Sequence, residues 1–256
     1  MQCGPLPSRR DMVADSDNTS APPVQQLALD IRWTDIASLD SFVAGANQQA
    51  LDAVRRAAMG FGDRLLFLYG QGPVGKSHLL QAACREAGER GFKAAYLPLN
   101  EFQGMPPGSV LAGMESMDLL ALDDLQVLAG EADWEEHFFY LFNRTRASGG
   151  HMILSADRRP VDLSLVLPDL ASRLQWGLTL RLEPLDDVGK LQGLQARAAA
   201  RGLELPDDTG RFLLSRYARD LGGLFQLLDR LDGASLAAQR RLTIPFVRQV
   251  LGGDEG

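Results

Sequence analysis

"RLLFLYGQGPVGKSH", residues 64–78, sets the apolar run Leu65–Tyr69 directly before a glycine-rich turn that ends in Lys76 and Ser77. Gly70 through Ser77 satisfy G-x-x-x-x-G-K-[ST] at every position, and the flanking pattern predicts a strand before the loop and a helix after it, over Ser77–Arg90. Gly70, Gly72 and Gly75 let backbone amides approach a phosphate chain, and the helix N-terminus adds its dipole. Lys76 is expected at the β- and γ-phosphates and the Ser77 hydroxyl at Mg²⁺. His78 extends the same nucleotide-contacting stretch. The competing reading is an ordinary glycine turn that opens a helix.

Two later segments share the logic of an apolar strand with a polar end. Asp118-Leu-Leu-Ala-Leu-Asp123-Asp124 places two carboxylates at a strand tip. Asp123 can hold Mg²⁺ through water, and Asp124 stands where a base would polarise an attacking water. Aspartate at the second position is one methylene shorter than the more usual glutamate. His151-Met-Ile-Leu-Ser-Ala-Asp157 ends on Asp157, a candidate γ-phosphate sensor, or an Asx turn before Arg158-Arg159-Pro160.

Working outward, short apolar strands are expected at Leu65–Tyr69, Ala94–Leu99, Leu119–Asp123, Met152–Ser155 and Leu178–Leu182. Helical patterns separate them at Asn47–Ala58, Ser77–Arg90, Val110–Met117 and Trp134–Ser148. Strands that alternate with helices imply an α/β fold, a parallel sheet with helices on both faces. After Pro184 the strands stop. Helices are expected over Asp187–Arg201, Asp207–Arg216, Gly222–Arg240 and Pro245–Leu251, with Pro245 suited to a first helical turn. The predicted organisation is a polar, proline-rich and disordered extension at 1–24, an extended peptide at 25–32, an α/β domain at 33–184 and a small helical domain at 185–256.

Composition narrows the chemistry. The 256 residues are 45% hydrophobic, enough for a full core, and the formal net charge of −7 disfavours nucleic acid as a main partner. Cys3 and Cys84 lie in unrelated contexts and make no disulfide framework, which fits a reducing cytoplasm. No apolar run approaches the roughly 20 residues that span a bilayer, and residues 1–24 have no signal-peptide core. His78, His137 and His151 show no metal-ligand spacing.

The strings "LLALDDLQVLAG", "FFYLFNRTRASGGHMILSADRRP" and "LASRLQWGLTLRLEPL" closely resemble the AAA+ module of the bacterial replication initiator family, DnaA. "LPDLASRLQWG", "ELPDDTGRFLL" and "AAQRRLTIPFVRQVL" are similar to the Hda family of DnaA-related regulators, and the likeness covers roughly residues 25–251. The resemblance implies an AAA+ P-loop fold with a five-stranded parallel sheet and a helical lid. It implies a cytoplasmic, nucleoid-associated negative regulator of replication initiation that holds ADP or ATP with Mg²⁺, the ADP form being the active one.

Further roles come only through that resemblance. Arg173, in Ala171-Ser172-Arg173-Leu174, falls where the family places an arginine finger, which stabilises transition-state charge at a neighbour's ATP. Arg219 falls on the lid arginine known as sensor 2. Gln26-Leu27-Ala28-Leu29-Asp30-Ile31 is similar to the peptide by which such proteins grip the DNA polymerase III sliding clamp, Gln26, Leu27, Leu29 and Ile31 making the contacts. Read alone, the same six residues also fit a short edge strand of the main sheet. The implied partners are the DnaA initiator and the clamp, with DNA met only through the clamp, no membrane, and a homo-oligomer allowed. Intact Lys76, Ser77, Asp123 and Asp124 leave the chain's own hydrolysis open. Two other classes compete: a stand-alone ATPase such as a helicase or transposition loader, and an initiator variant that binds DNA through its AAA+ ring.

Overall fold

The computed structural model describes residue 1 and residues 37–217, 220–238 and 241–252. The chain divides into two compact units, Met1–Arg32 and Trp33–Gly256, and the fold is that of the second. The expected disordered extension and clamp-binding peptide lie outside the described residues.

Helix α1 (Gln48–Ala58) leads to β1 (Leu65–Tyr69), the phosphate-loop segment and α2 (Lys76–Glu89). Then follow β2 (Ala94–Pro98), the short α3 (Pro107–Val110), β3 (Leu119–Asp123), α4 (Ala132–Ser148), β4 (His151–Ala156), α5 (Pro168–Leu174) and β5 (Leu178–Arg181). The five strands form one sheet in the order β2-β3-β4-β1-β5. Every pairing is parallel, with Phe67 opposite Leu154 and Thr179, and Ala121 opposite Tyr96 and Ile153. The β1-to-β2 crossover runs one way across the sheet and the later crossovers run the other. With right-handed connections this puts α2 on one face and α3, α4 and α5 on the opposite face. Two covered faces explain the nearly continuous apolar strands: Leu66, Phe67, Leu68, Leu120, Leu122, Ile153 and Leu154 are all buried.

The strand expectations hold to within a residue or two at each end. One helix expectation needs correction, and one helix had no expectation. Val110–Met117 is not a helix: α3 stops at Val110, and a separate 3-10 turn covers Met114–Ser116. Gly113 between them has φ 80°, a left-handed conformation that ends a right-handed helix. Conversely α5, which carries Arg173, was not expected. Pro168 starts it, and its seven residues are too few to show a helical period.

After β5 come α6 (Asp187–Ala200), α7 (Asp207–Arg216), α8 (Leu221–Ala238) and α9 (Ile244–Leu251). Asp186 caps α6, its side chain accepting from the Gly189 N–H at 2.7 Å. Pro245 sits in the first turn of α9, as expected. These helices have their own apolar cluster, with Leu194, Leu213, Leu224, Leu228, Leu231 and Val247 at its fully buried centre. No described helix is long and apolar enough to cross a membrane.

Candidate functional site

Parallel strands bring their C-terminal ends to one edge of the sheet, where ligands bind in open α/β folds. Here that edge carries the 70–75 loop after β1, Asp123 and Asp124 after β3, and Asp157 after β4. A cleft of about 540 Å³ opens there, within the range of small-molecule sites. Gln71–Ser77 and Asp124 line one side, and Lys190 and Arg197 of α6 with Phe225 of α8 line the other.

The loop is shaped for close approach by an anion. Gly72 and Gly75 have φ of 68° and 96°. A Cβ on Gly75 would stand 2.7 Å from the Phe42 ring, so any side chain at this position is both strained and crowded. No side chain caps the N-terminus of α2 and no acidic residue occupies its first turn, which leaves its dipole for a ligand. Lys76 Nζ folds onto the loop, donating to the Gly70 carbonyl at 2.5 Å and the Gly72 carbonyl at 3.2 Å. Ser77 is exposed toward the cleft. These features fit a nucleotide's phosphate chain.

Asp123 is only 1% exposed, yet both its oxygens are bonded. The Tyr96 hydroxyl donates to Oδ2 at 2.8 Å and the Ser155 hydroxyl donates to Oδ1. Burial, with the Asp123 charge second, pushes the Tyr96 phenol well above its ordinary pKa. Asp124 is the single non-glycine residue with positive φ, 62°, among the described residues. Its N–H donates to Ser155 Oγ at 3.1 Å, and its Oδ1 accepts from Gln126 Nε2 at 3.0 Å. The other end of that amide, Oε1, accepts from the Asp157 N–H at 3.2 Å. Gln126 thus ties the turn after β3 to the end of β4.

The Asp157 carboxylate forms a bidentate pair with Arg158, both contacts at 2.7 Å. The hydrogen bond from Arg158 is the main cause that holds its carboxyl below the usual range. His78 lines the cleft, but its Nε2 donates to the Ser38 carbonyl at 2.9 Å and so braces the segment before α1. Burial chiefly, with the Arg197 charge as a smaller contribution, lowers the His78 pKa.

Arg173 lies on another part of the surface, half-buried on α5. Its guanidinium donates to Asn143 Oδ1 of α4 and lies 4.5 Å from the Phe139 ring centre and 5.4 Å from that of Trp176. Arg146 stacks on the same Trp176 at 4.6 Å. Behind it, Glu135 of α4 is fully buried. It accepts from the N–H groups of Gly130 (2.9 Å), Val166 (3.1 Å) and Leu167 (2.8 Å), pinning the chain that enters α5.

The structure therefore gathers Gly70, Gly72, Gly75, Lys76, Ser77, His78, Asp123, Asp124 and Asp157 at one sheet edge and sets Arg173 apart. Arg219, Gln26, Leu27, Leu29 and Ile31 lie outside the described residues. Tyr96, Gln126, Glu135, Ser155, Lys190 and Arg197 went unnoticed in the sequence. Of these, Gln126 and Ser155 lie within strings that carry the site, each two residues from a predicted carboxylate, Asp124 and Asp157. Among the described residues no cluster of three His, Cys, Asp or Glu side chains could enclose a metal, so a cation here would lean on Ser77, Asp123, phosphate oxygens and water.

Residues 34–181 match the family described as the bacterial DnaA ATPase domain, and residues 187–251 match the Hda lid domain. Domain III of the Thermotoga maritima replication initiation protein DnaA is similar at a TM-score of 0.75 and 25% identity, over 86% of this chain and 98% of that one. AMPPCP-bound DnaA from Aquifex aeolicus is similar at 0.65 and 28%, over 81% and 69%. A replication initiator DnaA bound to AMPPCP and single-stranded DNA is similar at 0.67 and 27%, over 82% and 70%. With its phosphate loop, its five-stranded parallel sheet and its helical C-terminal region, the chain belongs to the DnaA-related AAA+ family and carries an Hda-type lid.

Proposed function

We propose that this protein is a negative regulator of replication initiation. In this reading it docks through residues 26–31 on the DNA-loaded sliding clamp, packs against ATP-bound DnaA, and sets Arg173 beside that ATP. Hydrolysis by the partner then lowers the pool of initiation-competent initiator. The observation that carries the reading is the pairing of an Hda-type lid with a DnaA ATPase domain in one chain.

Its own nucleotide, with ADP as the active form, acts as a structural wedge between loop and lid. Gly70–Ser77 would hold the phosphates, Ser77 and Asp123 a Mg²⁺, and Lys190 and Arg197 stand across the cleft. A bound divalent cation would offset the negative charge of the phosphates at the loop. The chain's residues bind and orient: Lys76 compensates anionic charge, and Asp124 and Asp157 bracket the phosphate end. On the partner's ATP, Arg173 contributes positioning and charge, with little chemistry of its own. Its stacking on Phe139 and Trp176 fits a pre-aimed guanidinium, since a side chain already ordered loses less entropy on docking.

Leu27→Ala combined with Leu29→Ala should abolish retention on immobilised clamp while leaving nucleotide affinity intact. Undiminished retention rejects the docking peptide. The alternative of a stand-alone ATPase loader requires brisk hydrolysis by the isolated chain, increased by single-stranded DNA. Phosphate release by the isolated chain, with and without single-stranded DNA, distinguishes it.

A further inference from the structure

Asp123 presents a difficulty as a cation ligand. It is almost wholly buried, whereas Ser77, the other candidate ligand, is exposed to the cleft. The side chain that holds this carboxylate from β2 is Tyr96. Tyr96 is buried on β2, one strand away from Asp123, in the pair Tyr96–Ala121 and Pro98–Asp123. Its O–H donates to Asp123 Oδ2 at 2.8 Å. On the other side the Ser155 hydroxyl holds Oδ1. A hydroxyl on β2 and a hydroxyl on β4 therefore clamp the carboxylate between them.

A carboxylate accepts up to four hydrogen bonds, so one bond on each oxygen leaves lone pairs free for a hydrated cation. A buried phenol would not be kept here for packing alone, because an unpaired hydroxyl is costly to bury and phenylalanine would fill the same space. We infer that Tyr96 is a positioning residue of the divalent-cation site, holding the Asp123 carboxylate oriented toward the Mg²⁺ that Ser77 would also serve. The inference rests on the reading of this cleft as a Mg–nucleotide site. Partners that hydrogen-bond a ligating carboxylate typically account for 10- to 100-fold in metal affinity.

The test is the ADP affinity of the full chain, measured by calorimetry over a series of Mg²⁺ concentrations and in EDTA, for the unaltered protein and Tyr96→Phe. The expected result is that Tyr96→Phe binds ADP in EDTA as the unaltered protein does, and needs about tenfold more Mg²⁺ to reach half of the metal-dependent gain. The EDTA affinity reports that the cleft is folded. An unchanged Mg²⁺ midpoint overturns the inference. So does an equal loss of affinity with and without Mg²⁺, which marks a packing role. Failure of the unaltered protein to bind ADP at any Mg²⁺ concentration overturns the nucleotide-site reading itself, and this inference with it.

Discussion

Arg173 and Asn143 are joined side chain to side chain across α5 and α4, thirty residues apart in the chain, while the face of the guanidinium rests on Phe139. The arginine is held by its frame rather than left to sample solvent. The frame in turn depends on Glu135, one turn before Phe139 on α4, whose carboxylate collects the N–H groups at the entrance to α5.

Removing that carboxylate should loosen the frame without touching the arginine. Glu135→Ala removes the charge-assisted bonds to the part-buried Val166 and Leu167 N–H groups, each worth about 1.5–3 kcal/mol. A loss of about 3 kcal/mol lowers the melting temperature by roughly 10 °C in a domain of this size. Calorimetry should show that drop, and stimulation of initiator hydrolysis should weaken at temperatures where the variant is still folded. Unchanged stability would mean that the three hydrogen bonds of Glu135 are not what fixes α5.

The phosphate loop makes a separate prediction. A ligand at one hundred times its Kd stabilises by about 2.7 kcal/mol, equivalent to a rise of roughly 5–10 °C here. ADP with Mg²⁺ should produce that rise in the unaltered protein, and Lys76→Ala should abolish it. Gly75→Ala should abolish it too and also lower the ligand-free melting temperature, because its φ is 96° and its Cβ would collide with Phe42. A full ADP-induced rise in Gly75→Ala would show that nucleotide does not sit on this loop.

Acid should weaken the fold through buried histidines. The pKa values of His78 and His151 are lowered from 6.5, burial being the largest cause for each. Each binds fewer protons folded than unfolded, so stability rises with pH between the folded value and 6.5 and falls as pH drops through that window. The penalty is complete below the folded pKa. Thermal melts from pH 7.5 to 5 should show this decline, and His78→Gln with His151→Gln should flatten it. An equally steep decline in the double variant would assign the pH dependence to other groups.

Much of the fold was legible because five short apolar runs, such as Leu119–Asp123, are bounded by polar or glycine-rich segments and buried on both faces. The loop from Gly70 to Ser77 was legible because its spacing is itself the chemistry. Helix α5 was hidden by its brevity. The Val110–Met117 region looked helical until Gly113 broke it. Tyr96, Gln126 and Glu135 were hidden for a different reason. Tyr96 meets Asp123 across 27 positions and Glu135 meets Leu167 across 32, so only the sheet register and the packing of α4 bring them together. Gln126 reaches both Asp124 and Asp157 because the turn after β3 adopts a left-handed residue that no local pattern announces.

The central claim is that one guanidinium completes another molecule's active centre, and phosphate release from ATP-loaded DnaA in the presence of clamp-loaded DNA tests it most directly. The unaltered protein should accelerate release, and Arg173→Ala should lose the acceleration, by about 10³-fold or more if it follows other arginine fingers, while binding ADP normally. Full acceleration by Arg173→Ala would contradict the account.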